Sequence, residues 1–295
     1  MGIAIADYDH DGRINAFVTN DTLPNFLFHN EGKGKFREVG LRAGVALNDD
    51  GKPLSSMGVD FRDLDNDSHE DIVMTALSGE TFPFFHNMEG RLFADHTYPS
   101  RIGQATANLS GWGIGIFDFD NDGWKDIFTA NGDVQNNTEQ YSGRKSRQQN
   151  LLLMNGGKAG FHKELLGMPA LHRGVAFGDF DKDGRVDAVV TRLNDTPLLL
   201  NNRSAGGNHW IGLKLVGRSS NRDGIGARLV LRSGGSAQTN HLTGSTGYAS
   251  SSELTVHFGL GNQSAVDRLD IEWPSGKRQR LEGVAADRYL RVDEP

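Results

Sequence analysis

Four stretches of this chain carry aspartates at alternating positions, in the pattern Asp-x-Asp-x-Asp-Gly-x-x-Asp. They hold Asp7, Asp9, Asp11 and Asn15, then Asp63, Asp65, Asp67 and Asp71. The third holds Asp118, Asp120, Asp122 and Asp126, and the fourth Asp179, Asp181, Asp183 and Asp187. Carboxylates crowded this closely repel one another unless a cation lies between them. A hard, oxygen-only set is what Ca2+ takes, with six to eight oxygens at about 2.3–2.6 Å. The sixth position, Gly12, Ser68, Gly123 or Gly184, is where the chain must reverse sharply, which glycine permits. The carbonyl of the seventh position (Arg13, His69, Trp124 and Arg185) and the ninth side chain are expected to close the shell. An EF-hand shares the first six positions but needs a Glu at position 12 between helices. Here position 12 is Val18, Met74, Thr129 or Val190, so that reading fails. Asp-Gly also makes turns unaided. Fifteen acidic residues at 16 ligand positions favour metal over turn, giving up to four structural Ca2+ sites. The loops with Ser68 and Asn15 are expected to be the weaker ones.

The loops recur within a longer repeat. A glycine (Gly2, Gly58, Gly113, Gly174) stands five residues before each first aspartate, and the first aspartates lie 56, 55 and 61 residues apart. After each loop comes a β-rich stretch, then a strand–turn–strand hairpin: Phe26 to Phe36, Phe84 to Phe93, Leu151 to Phe161. The fourth copy keeps only Leu198 to Asn202. A period of this length with about four short strands is that of a β-propeller blade, which needs stacked neighbours to bury its faces. Polar residues 131 to 149 of the third repeat read as an inserted surface loop. From about residue 208 the Asp loop disappears. Short apolar or alternating runs replace it: Trp210 to Val216, Ala227 to Arg232, Leu254 to Phe258, Leu269 to Trp273 and Arg288 to Val292. The expected fold is therefore all-β: a partial β-propeller over 1–202, a linker, and a small β-sandwich-like domain over 208–293.

The 295 residues carry a net charge of −7, which argues against a nucleic-acid partner. The absence of cysteine excludes disulfides, thiolate zinc sites and a Cys nucleophile. No run approaches the ~20 apolar residues of a membrane span. No catalytic motif is present, and no catalytic residue is assigned. His29 and His86 precede the hairpin asparagine in equivalent places and read as structural repeats. Trp112 reads as core, and Trp124 as covering its loop rather than stacking on a glycan. Lys277, Arg278 and Arg280 read as a solvated face.

The loops, together with hairpins such as Phe28, Asn30, Gly32, Gly34 and Phe36, resemble FG-GAP/VCBS-type repeats, the calcium-binding blades of integrin-like propellers. The tail resembles the ASPIC/UnbV domain of the cartilage acidic protein-like family. The residues that carry this are Asn208 to Trp210, Arg222 to Arg228, Gly247 to Ser250, His257 to Gly261 and Ile271 to Gly276. The resemblance implies a secreted, periplasmic or cell-surface protein without established enzymatic activity. It would be a calcium-binding module presenting loops to a protein or glycan partner. The alternative, by analogy of fold, is a polysaccharide-acting enzyme with its site in the central channel. Four repeats fall short of the seven or so blades of such propellers, and Met1-Gly2 aligns with Met57-Gly58. The expectation is that the natural polypeptide extends upstream, with further blades and a signal peptide.

Overall fold

A computed structural model describes residues 1–295. The first sheet is β1 (Ile3–Ala6), β2 (Asn15–Val18), β3 (Phe26–Gly32) and β4 (Lys35–Glu38), antiparallel and in sequence order. A short helix α1 (Gly40–Ala43) leads to the second, β5 (Val59–Arg62), β6 (Asp71–Met74), β7 (Phe84–Met88) and β8 (Leu92–Asp95). After α2 (Ile102–Thr106) comes the third, β9 (Gly111–Phe117), β10 (Asp126–Asn131), β11 (Gln148–Asn155) and β12 (Phe161–Ala170). The fourth has only three strands, β13 (His172–Gly178), β14 (Asp187–Arg192) and β15 (Asp195–Leu200). Each Asp loop joins the first strand of its blade to the second.

The blades stack through apolar side chains shared between neighbours. Phe17, Leu27, Phe61, Ile72, Phe85, Ile114 and Ile127 belong to one buried cluster across the first three blades. Phe119, Phe128, Phe177 and Val190 join the third to the fourth. First strands lie against first strands: β1 beside β5, β5 beside β9, β9 beside β13. The repeat-opening glycines make this approach possible. A Cβ on Gly58 would stand 2.1 Å from the Trp112 carbonyl oxygen of the next blade. A threonine pins the same place. The Thr75 hydroxyl accepts from the Gly58 amide (2.9 Å) and donates to the Trp112 carbonyl (3.0 Å). Thr19 does the same between Gly2 and Met57. The third blade has Ala130 there, and its β9–β10 register shifts between Thr129 and Asn131.

Residues 131–149 are more than a surface loop. They include a helical turn α3 (Glu139–Ser142) and a buried polar knot. Thr138 donates to Asp133 (2.8 Å), the Asp133 amide to the Ser146 carbonyl, and Arg173 of the fourth blade to the Asp133 carbonyl. Trp112 is buried, donates to the Gly132 carbonyl (2.7 Å) and carries the Arg173 guanidinium 4.1 Å above its ring.

Seven further strands follow in two sheets. One contains β16 (His209–Val216), β19 (Val256–Gly261) and β22 (Arg288–Asp293), with β16 and β22 parallel. The other contains β17 (Arg228–Ser233), β18 (Ser236–His241), β20 (Ala265–Glu272) and β21 (Arg278–Ala285). Their facing residues, among them Leu213, Leu229, Phe258, Leu269 and Trp273, form a separate core. This sandwich sits on the Asp-loop side of the blades. Between β18 and β19 it sends one segment along the first strand of every blade. The Ser245 hydroxyl donates to Ile3, the Gly247 amide to Val59, and the Glu253 amide to Phe177. The Ser250 and Ser252 hydroxyls accept from the Val175 and Phe177 amides, and Tyr248 sets its ring edge against Trp112. Residues 245–253 thus cover the first strands of the blades, the edge at which the alternative expectation puts a central-channel active site.

Candidate metal centre

Each Asp loop is wound by its own hydrogen bonds. In the third, the Asp122 and Gly123 amides donate to Asp118, and the Trp124 amide donates to Asp122. The first and fourth repeat this around Asp7 and Asp179. The sixth residue always has positive φ: Gly12 +84°, Gly123 +96°, Gly184 +86°, and Ser68 +79°, where an L side chain is strained. The ninth carboxylate is held from two sides. Asp71 accepts from the Leu64 and Asn87 amides, Asp126 from Phe119 and Asn155, Asp187 from Phe180 and Asn202.

Donor atoms converge within 4.8 Å in every loop. The groups are Asp63, Asp65 and Asp67; Asp118, Asp120 and Asp122; Asp179, Asp181 and Asp187. In the first loop Asp9 and Asp11 converge with His29 rather than with Asp7. Asp126 and Asp183 stand outside these groups. Asp183 is paired with the Arg185 side chain, as Asp11 is with Arg13. Of the seventh-position carbonyls, that of Arg13 accepts from Asn15 (3.3 Å). Trp124 is half-buried and packs on Gly157 of the adjoining hairpin turn.

Two kinds of residue at these sites were given no ligand role in the sequence reading. His86, taken as merely structural, places Nδ1 3.1 Å from Asp71 and 3.4 Å from Asp65, and His29 lies 3.4 Å from Asp9. The equivalent Asn201 donates to Asp181 (2.9 Å). The signal was their shared place before the hairpin asparagine. That asparagine is the other kind. The Asn155 side-chain amide donates to Lys125 of its own loop (3.0 Å) and to Leu64 of the preceding loop (2.9 Å). Asn87 bridges Glu70 and Tyr8, and Asn202 bridges Val186 and Phe119, in the same way. Asn30 reaches only Ile14. Replacing Asn155 by Ala leaves two buried carbonyls unpaired and is expected to cost about 3 kcal/mol in urea unfolding. Asn30→Ala, with one such bond, is expected to cost about 1 kcal/mol. Equal costs would show that the bond to the preceding loop contributes nothing.

The electrostatics fit a missing positive charge. Burial pushes Asp63 up to about 7 and Asp71, Asp7 and Asp122 up to about 6. Asp118 and Asp126 are raised well above the ordinary carboxylate range, again by burial first. Asp63 is 1% exposed, yet its Oδ1 has no hydrogen-bond partner. Such an orphan is costly unless something charged meets it. The donor set is almost all oxygen, as a hard divalent cation requires.

Residues 2–74 and 118–190, which contain all four loops, match the FG-GAP-like repeat family. Residues 217–295 match the ASPIC and UnbV family. The chain is an FG-GAP-like repeat protein with an ASPIC and UnbV domain. It is 29% identical to cartilage acidic protein 1 of Xenopus tropicalis over 94% of its own length and 42% of that relative. To the Mus musculus protein it is 28% identical, over 94% and 42%. It thus spans about two fifths of the length of these relatives. Among solved structures it is similar to the BP39L lectin of Burkholderia pseudomallei (TM-score 0.41, 10% identity, 97% of this chain and 84% of that). It is also similar to an Agrocybe aegerita lectin described as recognising non-reducing terminal N-acetylglucosamine (TM-score 0.31, 15%, 68% and 65%). No helix of these FG-GAP-like repeats or of the ASPIC and UnbV domain is long and apolar enough to cross a membrane.

Proposed function

We propose that this chain is a calcium-stabilised, extracytoplasmic binding or scaffold module, in which the ions are structural and the blades present their surface to a protein or glycan partner. The observation that carries the reading is the convergence within 4.8 Å of three carboxylates in three of the FG-GAP-like loops, and of two carboxylates with His29 in the first, with the buried Asp63 Oδ1 unpartnered. The donors would be the first, third, fifth and ninth side chains of each loop, with the seventh carbonyl. Calcium would supply charge neutralisation there, tying the loop to the strands it joins. A binding role is favoured over the polysaccharide-acting enzyme because residues 245–253 cover the first strands of the blades, where a central-channel site would open. The surface left to a partner includes a cleft of about 510 Å3 between the second and third blades, lined by Phe84, Arg101, Trp124, Lys158 and Phe161. Calorimetric titration of the ion-stripped chain is expected to give up to four calcium equivalents, with affinities of about 0.1–1 mM suited to extracellular calcium. Fewer than two equivalents would overturn the reading.

A further inference from the structure

The four loops are not chemically alike: an imidazole joins the converging carboxylates in the first (His29) and in the second (His86). Asp65 belongs to two converging groups: one with Asp63 and Asp67, the other with Asp71 and His86. His86 turns Nδ1 to both Asp71 (3.1 Å) and Asp65 (3.4 Å). Its ring lies parallel to His96 at 4.9 Å, which fixes the imidazole plane. The orphaned Oδ1 of the buried Asp63 is an independent sign that this loop awaits a ligand. At the place of His86 the third blade has Met154 and the fourth Asn201; the first has His29, which pairs with Asp9 (3.4 Å) but has Asn15 in the ninth place, so the second loop is the one that sets its imidazole against a buried ninth-position carboxylate. Imidazole suits zinc, copper and nickel, whereas carboxylates alone suit calcium and magnesium. Asp65, Asp71 and His86 converge within 4.8 Å and Asp63 converges with Asp65 in the adjoining group, so the loop offers a zinc-class ion three carboxylates and one imidazole.

We propose that the second loop selects a zinc-class transition-metal dication over calcium, with His86 Nδ1 as the nitrogen ligand beside Asp63, Asp65 and Asp71. The claim rests on reading this loop as a cation cradle, and adds the identity of the ion. The test uses the full chain, stripped of metal and then held in about 10 mM calcium to fill the calcium-binding loops. Cobalt(II) is titrated as the visible probe, and zinc is used to displace it. The expected result is a tight cobalt site that zinc displaces and that depends on His86, any weaker equivalent at His29 being unaffected by changes at His86. His86→Gln is expected to weaken cobalt binding about tenfold or more, with calcium uptake by the other loops unchanged. His162→Gln, on the exposed strand β12 and away from the cradle, should leave cobalt binding as it was. Cobalt held as tightly by His86→Gln as by the parent, or lost equally from both variants, would overturn the proposal. Asp63→Asn separates the two layers. If it alters neither calcium nor cobalt uptake, the cradle itself is refuted; if calcium falls but His86→Gln has no effect on cobalt, only the ion assignment is.

Discussion

Stripping divalent ions from the full chain at pH 7.5 is expected to lower its melting temperature by about 20 °C, and added calcium should restore it. Each ion held at 100 times its dissociation constant contributes about 2.7 kcal/mol to the folded state. Four such ions approach the whole stability of an ordinary domain, about 5–15 kcal/mol. The loops join the first two strands of every blade and carry the asparagine bridges to the next, so the loss is global rather than local. The pH dependence gives the claim a sign. In the ion-free protein, Asp63 is raised to about 7 and Asp7, Asp71 and Asp122 to about 6. Carboxyls raised on folding bind protons more tightly in the native state. Their contribution is fully present below the unfolded value near 3.8, and is lost as pH rises through 6–7. His86, raised to about 9 chiefly by its hydrogen bond to Asp71, adds a loss in the same direction between 6.5 and 9. The stripped protein therefore becomes more stable as pH falls from 7.5 to 5. The loaded protein behaves oppositely, because protons then compete with calcium for the same oxygens. The gap between the two melting curves should close near pH 5. A gap independent of pH, or no gap at pH 7.5, would show that the carboxylates do not hold the ion.

Much of the blade architecture was legible because its signals are local. Asp-x-Asp-x-Asp-Gly fixes a loop within nine residues, and the fourth copy, which keeps only Leu198 to Asn202 of its hairpin, forms a three-stranded blade. What lay outside the sequence reading depends on residues far apart in the chain. Asn87 looks like a turn residue, and its Oδ1 does accept from the Gly90 amide (2.8 Å). Its second duty, donating to the Tyr8 carbonyl 79 residues earlier, exists only once two blades stack. His86 was seen as a repeated position. That it faces the loop follows from the Asn87 amide donating to Asp71, which brings the end of the hairpin strand to the ninth ligand. The segment from Thr243 to Leu254 shows the limit most clearly. Its glycines, serines and threonines form no apolar or alternating run, and its hydrogen-bonding partners are backbone groups of the blades, which leave no side-chain pattern. The polar insertion after Asn131 is an exposed loop over most of its length, as the sequence suggests, with a buried polar knot that the sequence does not show. Asp133, Thr138 and Ser146 look solvated, but satisfy one another in the interior.

Gly247→Ala is expected to be among the most damaging single substitutions in the chain, at about 4 kcal/mol or more. Gly247 donates to Val59 and lies against the β9 backbone, where an added Cβ would stand 2.6 Å from the Ile114 oxygen and 2.9 Å from its nitrogen. It also has φ of +76°, so conformational strain and collision add. Gly276→Ala separates the two. Gly276 has φ of +86° but nothing near its missing Cβ, so its cost should be the conformational part alone, about 1–2 kcal/mol. The excess at Gly247 measures how firmly the segment is wedged between blades, since neither the Ile114 backbone nor Val59 can yield without parting β5 from β9. The wedge also couples the two cores. With Gly247 in place, blades and sandwich are expected to melt in a single calorimetric transition. In the Gly247→Ala variant the sandwich is expected to unseat, exposing His241 and His257, whose buried imidazoles are now held neutral by desolvation. The variant should therefore show two transitions, the gap between them widening below pH 6 as those imidazoles become free to take up protons. Equal costs for the two glycine variants, or one transition in both, would mean that the segment merely lies along the blades.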